Sequence, residues 1–135
     1  MQKPLNIAIV GLGVIGGSFA LALKKQKECP VYLMGIDHDP KTLNRALQEG
    51  AIDYGETSNQ NILQKADLVI ITLYPGDVVN FVETHRKDFK EDAILTDTTG
   101  IKGNLVDTIL PVLPENVDFI FGHPMAGKES QGFAY

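Results

Sequence analysis

A second cysteine is missing from this chain, so no intramolecular disulfide can form. Cys29 stands alone with nothing around it that marks a catalytic thiol, which suits a reducing cytoplasm. Positive charge is short as well. Twelve Lys and Arg against seventeen Asp and Glu leave a net charge of −5, and nucleic acid as the main partner would need clustered basic residues. The short run Lys24, Lys25, Lys27 closes a predicted helix, where cations suit the C-terminal dipole, so it reads as a solvated helix end. No apolar stretch is long enough to span a bilayer. Met1-Gln2-Lys3-Pro4 leads straight into a strand, without the layout of a signal peptide. There is no internal repeat or low-complexity tract, and no metal is expected. What remains, 44% hydrophobic and 21% charged over 135 residues, describes one ordinary globular domain with a single core.

Strand and helix signals alternate along it. Leu5–Val10 is a short β-branched run that ends abruptly in glycines, as a strand buried on both faces does. Val14–Lys27 is helical in pattern, with Ile15, Phe19, Ala22 and Leu23 on one face. A second strand is predicted over Val31–Ile36. A second helix follows over Pro40–Glu49, capped by Asp39 with proline at its first position and stopped by Gly50. Ala51–Tyr54 is expected as a short third strand, Asn59–Lys65 as a short helix and Asp67–Leu73 as the clearest buried strand. Pro75 opens a helix to about Phe89. Asp92–Thr96, Ile101–Leu110 and Val117–Phe121 read as strand, helix and strand, and Gly122–Tyr135 as loop. This order predicts an α/β fold, Rossmann-type and doubly wound: a mainly parallel sheet between two helical layers.

Gly11-Leu12-Gly13-Val14-Ile15-Gly16 is G-x-G-x-x-G, and it sits where the motif has meaning, after an apolar strand and at the start of a helix. Gly11 makes the tight turn, Gly13 lets the backbone approach a pyrophosphate, and Gly16 lets helix and strand pack closely. The helix start offers free N–H groups and a positive dipole end to the anion. Gly17 and Ser18 keep that turn small. Asp37 follows roughly 20 residues after the loop, at the end of the second strand, where a carboxylate accepts from the adenosine ribose hydroxyls. It would repel a 2′-phosphate, and His38 and Asp39 stand where an NADP site would want an arginine. NAD is the expected cofactor.

Ligands in such sheets lie beyond the carboxyl ends of the strands. Three loops there carry chemistry: Thr72-Leu73-Tyr74-Pro75-Gly76, uncharged; Thr96-Asp97-Thr98-Thr99-Gly100-Ile101-Lys102-Gly103, dense in hydroxyls; and Gly122-His123-Pro124-Met125-Ala126-Gly127-Lys128-Glu129-Ser130. His38 and His85 read as surface or structural residues. His123 stands where a buried strand gives out, before a proline that favours extended backbone, and its imidazole could take a proton from a substrate hydroxyl during hydride transfer.

With the glycine loop, the stretches 96–103 and 122–132 resemble the prephenate/arogenate dehydrogenases of tyrosine biosynthesis. The most specific element is His-Pro-Met-Ala-Gly-Lys-Glu at 123–129. The resemblance implies NAD-dependent oxidative decarboxylation of prephenate or arogenate. It implies His123 as the catalytic histidine and Glu129 as a glutamate that organises the active site. Cofactor contacts are then expected from Gly11, Leu12, Gly13, Val14, Ile15 and Gly16, from Asp37, from Leu73, Tyr74 and Pro75, and from Thr98. Substrate contacts are expected from Thr99, Gly100 and Lys102, although Lys102 also reads as a surface lysine at a helix start. Many members carry serine where this chain has Gly100, and Thr98 and Thr99 are the hydroxyls at hand. The resemblance further implies a helical dimerisation domain beyond Tyr135, so residues 1–135 are expected to be the dinucleotide-binding domain without its last elements, the fragment inactive and the full protein a cytoplasmic homodimer. Two other functions stand beside this one. A β-hydroxyacid-type dehydrogenase would share the loop but use a lysine on a later helix, and a non-catalytic dinucleotide-binding module would share only the cofactor site.

Overall fold

Along β1 (Leu5–Val10) alternate side chains go to opposite faces of the sheet, and both sets are buried in the computed structural model, which describes residues 3–58, 60–98 and 108–120. Ala8 and Val10 join Met34, Ile36, Val69, Ile71 and Leu95 in one cluster, while Ile7 and Ile9 join Leu33 and Ile70 in another. A strand with apolar side chains buried on both faces, as Ile7–Val10 are, needs helices to cover both.

They do. One face receives Ala20 of α1 (Val14–Lys25) and Leu43 and Ala46 of α2 (Pro40–Gln48). The other receives Ile62 and Leu63 of α3 (Gln60–Lys65) and Val78 and Val82 of α4 (Pro75–Thr84). Between these layers β2 (Val31–Ile36), β3 (Tyr54–Glu56), β4 (Leu68–Ile71), β5 (Ile94–Asp97) and β6 (Asp118–Ile120) complete the sheet. Its order is β3-β2-β1-β4-β5-β6 with all pairs parallel, a Rossmann-like α/β fold. The order reverses between β1 and β4. That junction is the topological switch point, where the carboxyl ends of two buried strands open a crevice.

Several elements differ from expectation. The third strand is Tyr54–Glu56 instead of Ala51–Tyr54: the Ala51 N–H is spent on Ala46 O (2.9 Å), and Ala51 and Ile52 are buried as core residues before the ladder begins. Helix α1 stops at Lys25 because the Gln26 amide brackets Cys29, accepting from its N–H (3.1 Å) and donating to its carbonyl (2.6 Å). Its sheet-facing positions are Gly16 and Ala20, so Ile15 (56% exposed) and Phe19 (41%) lie on the outside. Helix α4 ends at Thr84, where the His85 ring meets Asp88 at 2.8 Å and the chain turns before Phe89. Of the helix expected over Ile101–Leu110, positions 101–107 lie outside the described residues. Thr108 and Ile109 are helical and run into a 3-10 turn at Leu110–Val112. Among the described residues no helix is long and apolar enough to cross a membrane.

Candidate cofactor site at the switch point

The site begins with one backbone conformation. Gly11 has φ +88°, which side-chain-bearing residues rarely adopt, and its N–H donates to Ile36 O (2.8 Å). The turn lets the chain leave β1 and start α1 with the two in contact. A Cβ on Gly16 would lie 1.9 Å from the Gly11 carbonyl oxygen, so glycine is obligatory there. Leu12 is buried. Its side chain lies over Gly35 of β2, where a Cβ would come within 2.6 Å of Leu12 Cδ1, and this pins the loop to the core.

Gly13 is different. It is exposed, and a Cβ there would meet nothing within 4 Å among the described residues. It is also the N-cap of α1, with no side-chain capping hydrogen bond among the described residues and no acidic residue in the first turn. The first N–H groups of a helix have no intrahelical acceptor. Here they lie at a helix start whose Gly13, Val14 and Ile15 are exposed, at the positive end of the dipole, an arrangement suited to a pyrophosphate. Val14 (88% exposed) and Ile15 stand on the outer side of the same turn.

Asp37 lies beside this turn, just past the end of β2, with its side chain only 11% exposed. Its Oδ2 accepts the Leu12 N–H (2.8 Å) and its Oδ1 the Asp39 N–H (2.9 Å). Two fixed donors hold the carboxylate in one orientation and leave the remaining lone pairs for hydroxyl donors. The fully exposed His38 ring is 3.7 Å from Oδ1. From Gly13 and Asp37 a groove of about 610 Å³ runs along the seam between α1 and α2, past Ser18, Thr42 and Arg45. That volume falls in the ordinary range for small-molecule sites. Arg45 is engaged with Glu49 one turn on (3.1 Å).

The other expected contacts lie on the far side of the switch point. Leu73 is half-buried against the core and near Gly11, Tyr74 is exposed at the N-cap of α4, and Pro75 opens that helix. Thr98 follows β5, its N–H donating to Ile71 O (3.2 Å). His123 and Glu129, with Thr99, Gly100 and Lys102, lie outside the described residues. Two residues at the carboxyl ends of β4 and β5, to which the sequence assigns no role of their own, stand out. Asp97, 3% exposed, is the buried charged side chain among the described residues and ends β5. Thr72, directly after β4, places its hydroxyl against the carbonyls of Val10 (2.8 Å) and Gly11 (2.6 Å). No group of three His, Cys, Asp or Glu among the described residues could hold a metal ion.

Sheet order, glycine turn and the clamped Asp37 carboxylate beside it define a dinucleotide-binding domain of the Rossmann type. Within that class the comparisons are specific. The sequence model of the prephenate dehydrogenase nucleotide-binding domain matches residues 19–135, and the chain belongs to that family. Prephenate dehydrogenase of Bacillus subtilis is 33% identical over 134 residues, 98% of this chain and 36% of that protein. The crystal structure of prephenate dehydrogenase from Aquifex aeolicus with hydroxyphenyl propionate and NAD+ superposes with a TM-score of 0.82 at 31% identity, covering 99% of this chain and 46% of that one. Arogenate dehydrogenase of Synechocystis gives 0.76 at 26% identity over 95% of this chain and 44% of that one. The chain thus spans a third to under half the length of these relatives.

Proposed function

We propose that this domain binds NAD+ and serves an enzyme that oxidatively decarboxylates prephenate or arogenate. The observation that carries the cofactor half is the clamped Asp37 carboxylate beside the open face of Gly13. The Gly13 backbone and the first turn of α1 receive the pyrophosphate, Asp37 the adenosine ribose hydroxyls, and Leu73, Tyr74, Pro75 and Thr98 the far wall. NAD+ when bound supplies the hydride acceptor. For the substrate half the support is family membership and the His-Pro-Met-Ala-Gly-Lys-Glu stretch.

His123 accepts the proton of the ring hydroxyl as hydride leaves the carbon that bears it. The ring carboxylate departs as CO2 and the ring becomes aromatic. Glu129 organises this region, and Thr99, Gly100 and Lys102 border the substrate. The setting is a cytoplasmic homodimer, a reading that the single cysteine and the family resemblance support.

The test is His123→Asn in the complete enzyme. Turnover should fall about 10²- to 10⁴-fold, the usual share of a general base. NAD+ affinity should stay unchanged, and the low-pH limb of the rate profile, near the ordinary imidazole pKa, should disappear. Near-normal turnover would remove His123 from the chemistry.

A further inference from the structure

A single peptide unit of the phosphate loop is gripped at both ends. The Gly11 carbonyl oxygen lies 2.6 Å from Thr72 Oγ1 on the β4 side. The N–H of the next residue, Leu12, donates to Asp37 Oδ2 (2.8 Å) on the β2 side. Carbonyl and N–H belong to one planar trans peptide and point in opposite directions. Whatever orients one end therefore orients the other.

The Thr72 hydroxyl also lies 2.8 Å from Val10 O, but it has one proton and donates to one carbonyl at a time. Val10 O already receives the Thr72 backbone N–H (2.9 Å), so the Gly11 carbonyl is the acceptor that depends on the hydroxyl. The fit is tight from every side. A Cβ on Gly11 would come within 2.9 Å of Thr72 Oγ1, and one on Gly16 within 3.0 Å of the same atom. The hydroxyl fills the space that the two glycines leave open.

We propose that Thr72 is a positioning residue for the dinucleotide, setting through the Gly11–Leu12 peptide both the turn that leads to Gly13 and the seat of the Asp37 carboxylate. It acts at a distance from the reacting atoms, and its role rests on the NAD+-binding reading above. Thr72→Val keeps the shape and deletes the hydroxyl, Thr72→Ala makes the same deletion without bulk, and Thr72→Ser restores the donor.

Two measurements on the 135-residue chain test this. The first is calorimetric titration with NAD+ well below each variant's melting temperature, where loss of stability alone leaves the dissociation constant unmoved. Deleting the donor should weaken binding roughly tenfold, and Thr72→Ser should stay within about twofold of the parent. The second is amide exchange at Leu12 without ligand, which should quicken in the Val or Ala variant and recover in the Ser variant. An unchanged NAD+ affinity in a folded deletion variant, or unchanged Leu12 exchange, would overturn the proposal. Failure of the parent chain to bind NAD+ would instead sink the cofactor reading, and the exchange experiment would still decide whether Thr72 sets the loop.

Discussion

A methyl group on Gly16 would collide with the Gly11 carbonyl oxygen at 1.9 Å, whereas one on Gly13 would project into open space. The two glycines of one motif therefore fail in different ways. Gly16→Ala should destabilise the fold by about 1–3 kcal/mol or more, because backbone has to move apart, and urea unfolding measures that. Gly13→Ala should unfold like the parent, since its backbone (φ −73°, ψ −155°) suits alanine, yet bind NAD+ at least roughly tenfold more weakly because the methyl occupies the pyrophosphate's approach. Equal NAD+ affinity in Gly13→Ala would place the phosphates elsewhere. The motif pointed to these glycines, and the turn expected at Gly11 and the close packing expected at Gly16 match their surroundings. Thr72 was not legible in the same way. Its importance depends on β4 lying beside β1, and neighbour relations between strands 61 and 62 positions apart leave no local pattern.

Elements were legible where periodicity and caps agreed. Helix α2 shows both: Asp39 accepts from Lys41 N–H (3.0 Å) and Pro40 takes the first position, as the cap signal implied. The third strand was misplaced because Ala51 and Ile52 are apolar for the core's sake, and composition does not say whether a buried backbone lies in a ladder. The apolar stripe of α1 likewise did not reveal which side meets the sheet, since close approach at Gly16 and Ala20 uses the small residues instead. At the amino ends of the strands, opposite the glycine loop, element ends are stitched by carboxylates. Asp67 accepts the Asn6 N–H (3.0 Å) and the Lys90 ammonium, joining the starts of β1 and β4 to the turn before β5. Hydrogen bonding from Lys90 is the largest effect on Asp67; with the Asn6 N–H it outweighs burial, which acts the other way, and lowers the carboxyl pKa. A depressed folded pKa means that the contribution is fully present above the unfolded value of about 3.9 and is lost as pH falls through the folded one. Asp67→Ala should therefore lose stability against the parent at pH 7, and the gap should close below about pH 4. Urea unfolding at both pH values checks it, and a gap that widens on acidification would reverse the assignment.

At the scale of the whole molecule the sheet order places the glycine loop, Asp37, Leu73 and Thr98 just past the carboxyl ends of neighbouring strands. Everything the cofactor reading needs thus lies within the first 98 residues. The substrate reading calls on residues 99–129, and the relatives are more than twice as long as this chain. Lost positioning of a substrate can remove about 7–11 kcal/mol of barrier lowering. Residues 1–135 on their own should accordingly bind NAD+ but yield no NADH from prephenate or arogenate, as absorbance would record; robust turnover would mean a complete substrate pocket. The most direct test of the central claim is a calorimetric titration of the chain with NAD+ and, separately, NADP+. A 2′-phosphate would sit against a carboxylate that Leu12 and Asp39 hold in place, and like charges in such contact cost several kcal/mol. NAD+ should bind and NADP+ should bind at least roughly a hundredfold more weakly; NADP+ binding as tightly as NAD+, or neither binding, would contradict the account.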